Sequence, residues 1–527
     1  MTQWFYEKNT RFLNSPINIT FDQVLVMTTD EFRQWIIDLR KLVVHLWDHE
    51  GQPPVAGAPM EEIAEQFEGL NYLKTDKALV IDELTGERDI IRISSRSGNA
   101  VNQFFPTMLK TRINYTKDVS SGRSIYDFFV QDELLDRFIT YATRHFKRDS
   151  FYHYSVPAQP NDLAQRDFYP VTDSSVDWIR QFEHDYRKRD HDVDYWLGPF
   201  DDEQGYTGHN EALKTVQQLS ITRAEIETLG DVIPSHCRTN IDWERSESYR
   251  IRIYSKGQRL FPVGFKSFRI SFSQYAVQFP PPIAKWVYDT FTKDFKKDEN
   301  IFVWDPSSGW AGRLIGALSA NDNRHLTYLG NDPNTDHTTT PGRTKYHEIY
   351  DFYTTNVLRG GMFNIPHNDF KFWQLGSEVM QFDPAFQEYK GKLSLVFTSP
   401  PYFSKEKYSD DPGQSCVKFS EYDAWRDGFL FETLKTAVEW LRPGGYIAWN
   451  IADVEFSGEV MPIEADSQKI LESFGMTFVK KYKMALASMP GGNRRDSTTG
   501  VPKTRNFCKT NGLYLKYEPI YLWKKCQ

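Results

Sequence analysis

Cysteine is scarce in this chain and spaced too widely for a cysteine-built framework. The 527 residues hold four (Cys237, Cys416, Cys508 and Cys526), none of them in a C-x-x-C pair. A disulfide scaffold or a cysteine zinc site is therefore not expected, and a reducing, cytoplasmic setting is. Long apolar runs are missing too. None approaches the roughly 20 residues of a membrane helix, and Met1 to Phe12 is polar and mixed in charge, unlike a secretory leader. A membrane partner is not expected. Positive charge is not in excess: the net charge is −8, which argues against wholesale coating of nucleic acid but leaves room for local basic contacts. Internal repeats are absent, as are a Gly-Lys-Ser/Thr phosphate loop and a complete G-x-G-x-x-G. His45 and His49 have helical i,i+4 spacing without the H-E-x-x-H context, and His236-Cys237 is a bare pair, so no metal is expected.

What is abundant is aromatic: 14 Trp, 28 Tyr and 38 Phe. Most of these rings are expected to fill cores, with a few available to stack on bases. The length calls for more than one domain, and the pattern of the chain changes near Ser246. Residues 1–245 read as a mixed α+β accessory region and 246–527 as a catalytic domain. In the first part, Phe32, Trp35, Ile36, Leu39, Val43 and Leu46 recur at helical spacing. A loop follows at Gly51–Pro59, and a hairpin is predicted across Leu79–Ile93 with its turn at Thr85-Gly86. Arg92 to Arg148 carries ten basic residues against five acidic ones, which suits either a nucleic-acid surface or a solvated helical face.

Beyond Ser246 short apolar runs alternate with helical stretches. Strands are predicted at Ile301–Trp304, Leu326–Leu329, Phe370–Leu375, Leu393–Phe397 and Tyr446–Ile451. Helices are predicted at Pro282–Phe295, Ala311–Ala320, Lys345–Val357 and Tyr422–Leu441. Such alternation implies an α/β fold, a parallel sheet wrapped by helices. Ligands then bind at the carboxyl ends of the strands, so the residues just after each strand carry the information.

After the first strand comes Asp305-Pro-Ser-Ser-Gly309-Trp-Ala-Gly312, a glycine-bearing turn into a helix. Such a turn allows close approach of a ligand to the backbone. After the second comes Asp332, about 20 residues on, where an acid can bind a ribose diol. After the fourth comes Thr398-Ser-Pro-Pro-Tyr402. Two prolines remove two amide donors and leave carbonyl acceptors, which suits recognition of an exocyclic NH2.

These motifs, in this order, resemble those of the S-adenosylmethionine-dependent DNA amino-methyltransferases, which make N4-methylcytosine or N6-methyladenine. The likeness runs from about Phe261 to Lys525. It implies a Rossmann-like methyltransferase sheet, mostly parallel with an antiparallel last strand. S-adenosylmethionine would be held by Gln278, Phe279, Asp305, Pro306, Ser308, Gly309, Gly312, Asp332 and Ser377. Ala311 stands where the family's loop has its second glycine, and Ser377 where it often has an aspartate. Ser399, Pro400, Pro401 and Tyr402 match the catalytic S-P-P-Y. The resemblance implies cytosine N4 as the first choice of target, because serine at 399 is commoner with that base. Adenine N6, an RNA base, and a nucleic-acid-binding module on a degenerate fold remain open.

DNA is the expected partner. Lys480 to Lys509 holds eight basic residues against one acid, Asp496. Arg494, Arg495, Lys503 and Arg505 are the candidate phosphate contacts. The target amine is unreachable inside a duplex, so base flipping is expected, with Tyr402 stacking on the extruded ring. Carbon-5 methylation is disfavoured, since none of the four cysteines follows proline.

Overall fold

The computed structural model describes residues 12, 14–51, 53–54, 58–93, 95, 97–114, 122–143, 167–168, 216–222, 248–254, 259–260, 276–296, 299–320, 325–358, 368–456, 459–486 and 506–526. Two compact units result. One gathers Ala58–Arg123 with Tyr275–Gln527, and the other gathers Trp4–Gly57 with Ser124–Gln274. The stretch 1–245 thus contributes to both units.

In the second unit, the helix Thr29–Glu50 starts with a reciprocal cap between Thr28 and Glu31 and ends at Gly51 in the left-handed conformation. Both ends therefore have their orphan backbone groups served. The buried Arg40 on this helix reaches across to the carbonyls of Phe128, Phe129 and Gln131. A three-stranded sheet of Asp167–Phe168, Ser248–Tyr254 and Val216–Thr222 belongs to the same unit.

The first unit is built on one ten-stranded sheet. Its strands are β1 (Leu79–Ile81), β2 (Arg88–Ile91), β3 (Ile301–Asp305), β4 (Leu326–Asn331), β5 (Asp369–Trp373), β6 (Leu393–Thr398), β7 (Leu441–Asn450), β8 (Met476–Ala485), β9 (Phe507–Thr510) and β10 (Leu513–Lys525). Their order across the sheet is β1-β2-β8-β10-β7-β6-β3-β4-β5, with β9 also on β10. β5, β4, β3, β6 and β7 all run parallel. β10 enters antiparallel between β7 and β8. This is a Rossmann-like α/β sheet, mostly parallel, with its last strand reversed.

All six residues of β6 are buried, as are all six of β4. Continuous apolar strands of this kind belong to sheets covered on both faces. The covering helices include α1 (Pro281–Phe291), α2 (Gly312–Leu318), α3 (Lys345–Phe352), α4 (Phe431–Trp440) and α5 (Ile463–Ser473). One core cluster holds the buried indoles of Trp304, Trp425, Trp440, Trp449 and Trp523. That is where much of the aromatic content goes, each ring adding on the order of 1.5–3 kcal/mol by burial.

The predicted hairpin is present as β1 and β2, turning through Gly86 at φ +78°. It extends the sheet beside β8, where Lys483 makes buried ion pairs with Asp82 (2.6 Å) and Asp89 (2.9 Å). Among the described residues no helix is long and apolar enough to cross a membrane, and no cluster of three potential metal ligands occurs.

Candidate active site

From β3 the chain winds outward through β4 to β5, then returns to the other side of β3 for β6 and β7. The reversal opens a crevice at the carboxyl ends of β3 and β6, the place where sheets of this kind bind ligands. The turns after β3, β4 and β6 meet there.

The turn after β3 is a closely bonded frame. Asp305 is fully buried and accepts from Arg313 Nε (2.9 Å) and the Tyr328 hydroxyl (2.6 Å). Arg313 also donates to the Ser307 carbonyl, and its guanidinium lies 5.5 Å from the centre of the Phe279 ring. Burial beside Asp305 pushes the Tyr328 hydroxyl well above the ordinary tyrosine range, so it stays a donor. Ser308 is equally committed: its amide donates to the Asn331 carbonyl (2.9 Å) and its Oγ lies 3.1 Å from the Tyr328 hydroxyl oxygen. Asn331 ties three turns together. Its side chain accepts from Trp304 Nε1 (2.9 Å) and donates to the carbonyls of Pro306 (3.0 Å) and Leu375 (2.9 Å).

The glycines divide by function. Gly309 takes φ +55°, and a Cβ there would meet nothing nearer than 3.9 Å. Gly312 by contrast packs inward: a Cβ there would lie 2.0 Å from the Phe279 carbonyl oxygen. Gly312 thus admits the preceding segment to the helix start. Ala311 sits between them, buried, at φ +60°. It occupies the left-handed conformation that glycine takes at no steric cost.

Asp332, partly buried, bridges to this frame. One carboxylate oxygen accepts from the Gly309 amide (3.0 Å) and the other from the Asn334 amide (3.0 Å). Burial raises this carboxyl to about 6 against those two lowering bonds. The Tyr346 hydroxyl donates to the Gly309 carbonyl, and His337 Nδ1 lies 3.1 Å from that hydroxyl.

The turn after β6 is different. Thr398 ends the strand, and its buried Oγ1 has no partner. Ser399 Oγ lies 3.3 Å from the Tyr402 hydroxyl, which also donates weakly to the Asn450 carbonyl (3.4 Å) at the end of β7. Asn450 is fully buried; its Nδ2 donates to the Pro519 carbonyl (2.9 Å) while its Oδ1 has no partner. Pro400 is buried and Pro401 partly so. Phe403, a buried bulky residue, follows at φ +50°. A left-handed phenylalanine is held only by what surrounds it. Its ring packs on Tyr422, Trp425 and Phe456. From the other side Asn114 grips the chain, its Nδ2 donating to the Ser404 carbonyl (2.7 Å) and its amide to the Lys405 carbonyl (2.8 Å). Glu406 and Lys407 then pair antiparallel with Ile113 and Arg112.

Gln278 and Phe279 approach along the Phe397 side. The Phe279 and Phe397 rings meet edge to face at 5.3 Å. Gln278 Nε2 donates to the Asn99 carbonyl (3.1 Å), leaving a buried Oε1 without a partner. The Tyr288 hydroxyl, fully buried and near Asp305 and Arg313, also has none. Ser377 lies beyond β5, buried, its hydroxyl shared with Thr433 (2.8 Å).

Arg494, Arg495, Lys503 and Arg505 lie outside the described residues. Of the other basic residues in that stretch, Lys483 is ion-paired as above. Lys480 faces Glu87 (3.6 Å), Lys481 faces Glu464 (4.0 Å) and Lys509 faces Glu83 (3.7 Å). Sequence reading missed Arg313, Tyr328, Asn331, Asn450 and Asn114. Arg313 sits eight residues beyond Asp305 and Asn114 nearly three hundred before Ser404, spacings that carry no local signal.

No family model matches the chain, and no curated protein does. Solved structures do. A candidate DNA modification methylase from Thermus thermophilus, complexed with S-adenosylmethionine, is 22% identical over 29% of this chain and 53% of its own, with a TM-score of 0.19. A candidate class I S-adenosylmethionine-dependent methyltransferase from Listeria monocytogenes is 14% identical over 46% of this chain and 58% of its own, at 0.26. NSun6 from Pyrococcus horikoshii, solved with SFG, is 11% identical over 48% of this chain and 53% of its own, at 0.27. The chain spans a little over half the length of each. At these scores the likenesses bear on no assignment of activity.

Proposed function

We propose that this protein transfers a methyl group from S-adenosylmethionine to the exocyclic amino group of a nucleic-acid base, in DNA before RNA and at cytosine N4 before adenine N6. The observation that carries the reading is the position of Thr398–Tyr402. The segment follows the carboxyl end of β6, next in the sheet to β3, whose own following turn carries Gly309 bonded to Asp332.

The residues present fit the cofactor. Gly309 leaves backbone open to a ligand, and Asp332 keeps a second lone pair on each oxygen for ribose hydroxyls. The partnerless buried atoms Gln278 Oε1 and Tyr288 Oη stand on the Phe279–Phe397 side, where a polar ligand would satisfy them. When bound, S-adenosylmethionine supplies an electrophilic methyl on a positively charged sulfur.

The exocyclic amine is a poor nucleophile because its lone pair is delocalised into the ring. Ser399 Oγ and the Pro400 carbonyl accept its two hydrogens, drawing the nitrogen toward tetrahedral geometry and aiming its lone pair. Positioning and oriented dipoles carry the step. Tyr402, its hydroxyl anchored toward Ser399 and Asn450, offers a ring face to the flipped base. Arg494, Arg495, Lys503 and Arg505 hold backbone phosphates.

The test is to incubate the protein with methyl-labelled S-adenosylmethionine and DNA or RNA, digest the polymer, and identify the nucleoside by mass spectrometry. N4-methylcytosine in DNA is expected. N6-methyladenine or a methylated RNA base would correct the target. Label on neither polymer, with cofactor binding confirmed, would overturn the reading.

A further inference from the structure

Beyond the S-P-P-Y segment, one carboxylate with no assigned task stands on the strand next to β7, at the same end of the sheet. Asn450, the last residue of β7, pairs across to Ile520 on β10. Glu518 therefore lies two residues past the end of β7, on the carboxyl-end side of the parallel strands. Its neighbour Pro519 accepts from Asn450 Nδ2, and Asn450 in turn accepts from the Tyr402 hydroxyl. Glu518 is thus two hydrogen bonds from the S-P-P-Y turn along the backbone, and its charge adds to the rise that burial gives the Tyr402 hydroxyl. It is partly buried, and among the described residues that carboxylate makes no hydrogen bond or ion pair. An acid so enclosed, left unpaired beside a site, is poorly explained by stability alone.

We propose that Glu518 is the proton acceptor of the methyl-transfer reaction, a role that rests on the function proposed above. As the amine nitrogen bonds to the methyl carbon, the carbon–sulfur bond breaks with its electron pair going to sulfur. The nitrogen then carries a positive charge and one proton too many. Ser399 and the Pro400 carbonyl can hold that hydrogen but not remove it, since a hydroxyl and an amide oxygen are far weaker bases than a carboxylate. Transfer to Glu518 gives the neutral secondary amine and a carboxylic acid, which returns its proton to water before the next turnover.

The surroundings suit the task. From the turn after β6 come Glu406 and Tyr402; from its own strand comes Lys516; Met484, its partner on β8, is neutral. Burial raises Glu518 to about 7, with Glu406 adding to the rise and Lys516 opposing it. Glu406 is itself raised by burial and accepts from the Tyr408 hydroxyl, which leaves Glu518 as the free member of the pair. A base poised near neutrality combines ionisation with useful basicity.

Glu518→Gln tests this, compared with Glu518→Asp and the unaltered chain. Expected for Glu518→Gln is a kcat lowered about a hundredfold, with cofactor affinity and the KM for the nucleic acid within about twofold. The unaltered chain's kcat should rise with pH through a single group near 7, and the variant's should be flat there. Glu518→Asp should recover part of the rate. Carbon-13 titration of the carboxyls in cofactor-free protein should show one resonance near 7 that vanishes in Glu518→Gln. A kcat within about threefold of the unaltered chain, or a retained acid limb, overturns the proposal. Should the variant not fold, a pH-independent kcat for the unaltered chain between 6 and 8, or a carboxyl titrating in the ordinary range, overturns it equally. An unaltered chain that binds cofactor but labels no polymer sinks the function itself, which separates the two failures.

Discussion

The turns after β3 and β6 lie on one crevice and are built on opposite plans. After β3 the polar groups are spent on one another: Asp305 on Arg313 and Tyr328, Ser308 on Asn331 and Tyr328. At the end of β6 they are left unbonded: Thr398 Oγ1 has no partner and the Ser399 hydroxyl has only a long contact, and beside them at the end of β7 Asn450 Oδ1 has none either. Each turn also contains one non-glycine residue in the left-handed region, Ala311 and Phe403. In the first, internal bonding makes a rigid seat. In the second, ring packing and Asn114 hold a strained backbone while its polar atoms make few bonds. On the function proposed above, preorganisation would be divided between a frame that fixes position and a face that does chemistry.

The contrast can be broken by substitution. Asp305→Ala should have the largest effect, because it leaves the Arg313 guanidinium buried without its counter-charge. A loss of about 3–5 kcal/mol is expected, read from denaturant unfolding; a loss below about 1 kcal/mol would show that the frame is not what the bonding suggests. Ser399→Ala should do the reverse. Stability and cofactor binding should be unchanged while methyl transfer falls about 100- to 1000-fold, measured under single-turnover conditions. Lost cofactor binding would place Ser399 in the frame instead.

Asp332 sharpens the comparison through pH. Its folded carboxyl sits near 6, above the ordinary value of 3.8. The folded state therefore holds its proton more tightly, so this group's contribution to stability is fully present below about 3.8 and is lost as pH rises through about 6. A ribose bound through the ionised carboxylate should favour the opposite direction. Cofactor affinity should strengthen as pH rises through 6, by about tenfold per unit below it, and Asp332→Asn should flatten the dependence. Calorimetry between pH 5 and 7.5 decides the matter; a flat profile for the unaltered chain would remove Asp332 from the binding site. The smallest effect belongs to Ala311→Gly. Relief of the left-handed strain, set against glycine's larger chain entropy, should leave stability between unchanged and about 1 kcal/mol higher. A marked loss in the denaturation midpoint would mean that the methyl group packs better than the backbone suggests.

Much of this site could be read along the chain. Asp332, Gly309 and Thr398–Tyr402 each follow a strand recognisable from an apolar run, and the hairpin at Thr85-Gly86 follows from its turn residues. Other expectations needed the fold to be placed. Gly312, read as a cofactor glycine, makes room for the Phe279 carbonyl. The Ser377 hydroxyl is shared with Thr433. Lys483, counted among cations suited to phosphate, ties down a hairpin whose edge position gave no sign in advance.

What the sequence determined by itself was the local grammar: alternating apolar runs and helical stretches, and the short polar motifs that close each strand. These depend on period and on backbone chemistry, which neighbours in the chain set for one another. Only the tertiary structure decided which polar groups are used up and which remain free. Tyr328 on Asp305, Asn114 on Ser404 and Ser377 on Thr433 are contacts between segments far apart in the chain. Burial and partnership are properties of the assembled interior, and no stretch of sequence carries them alone.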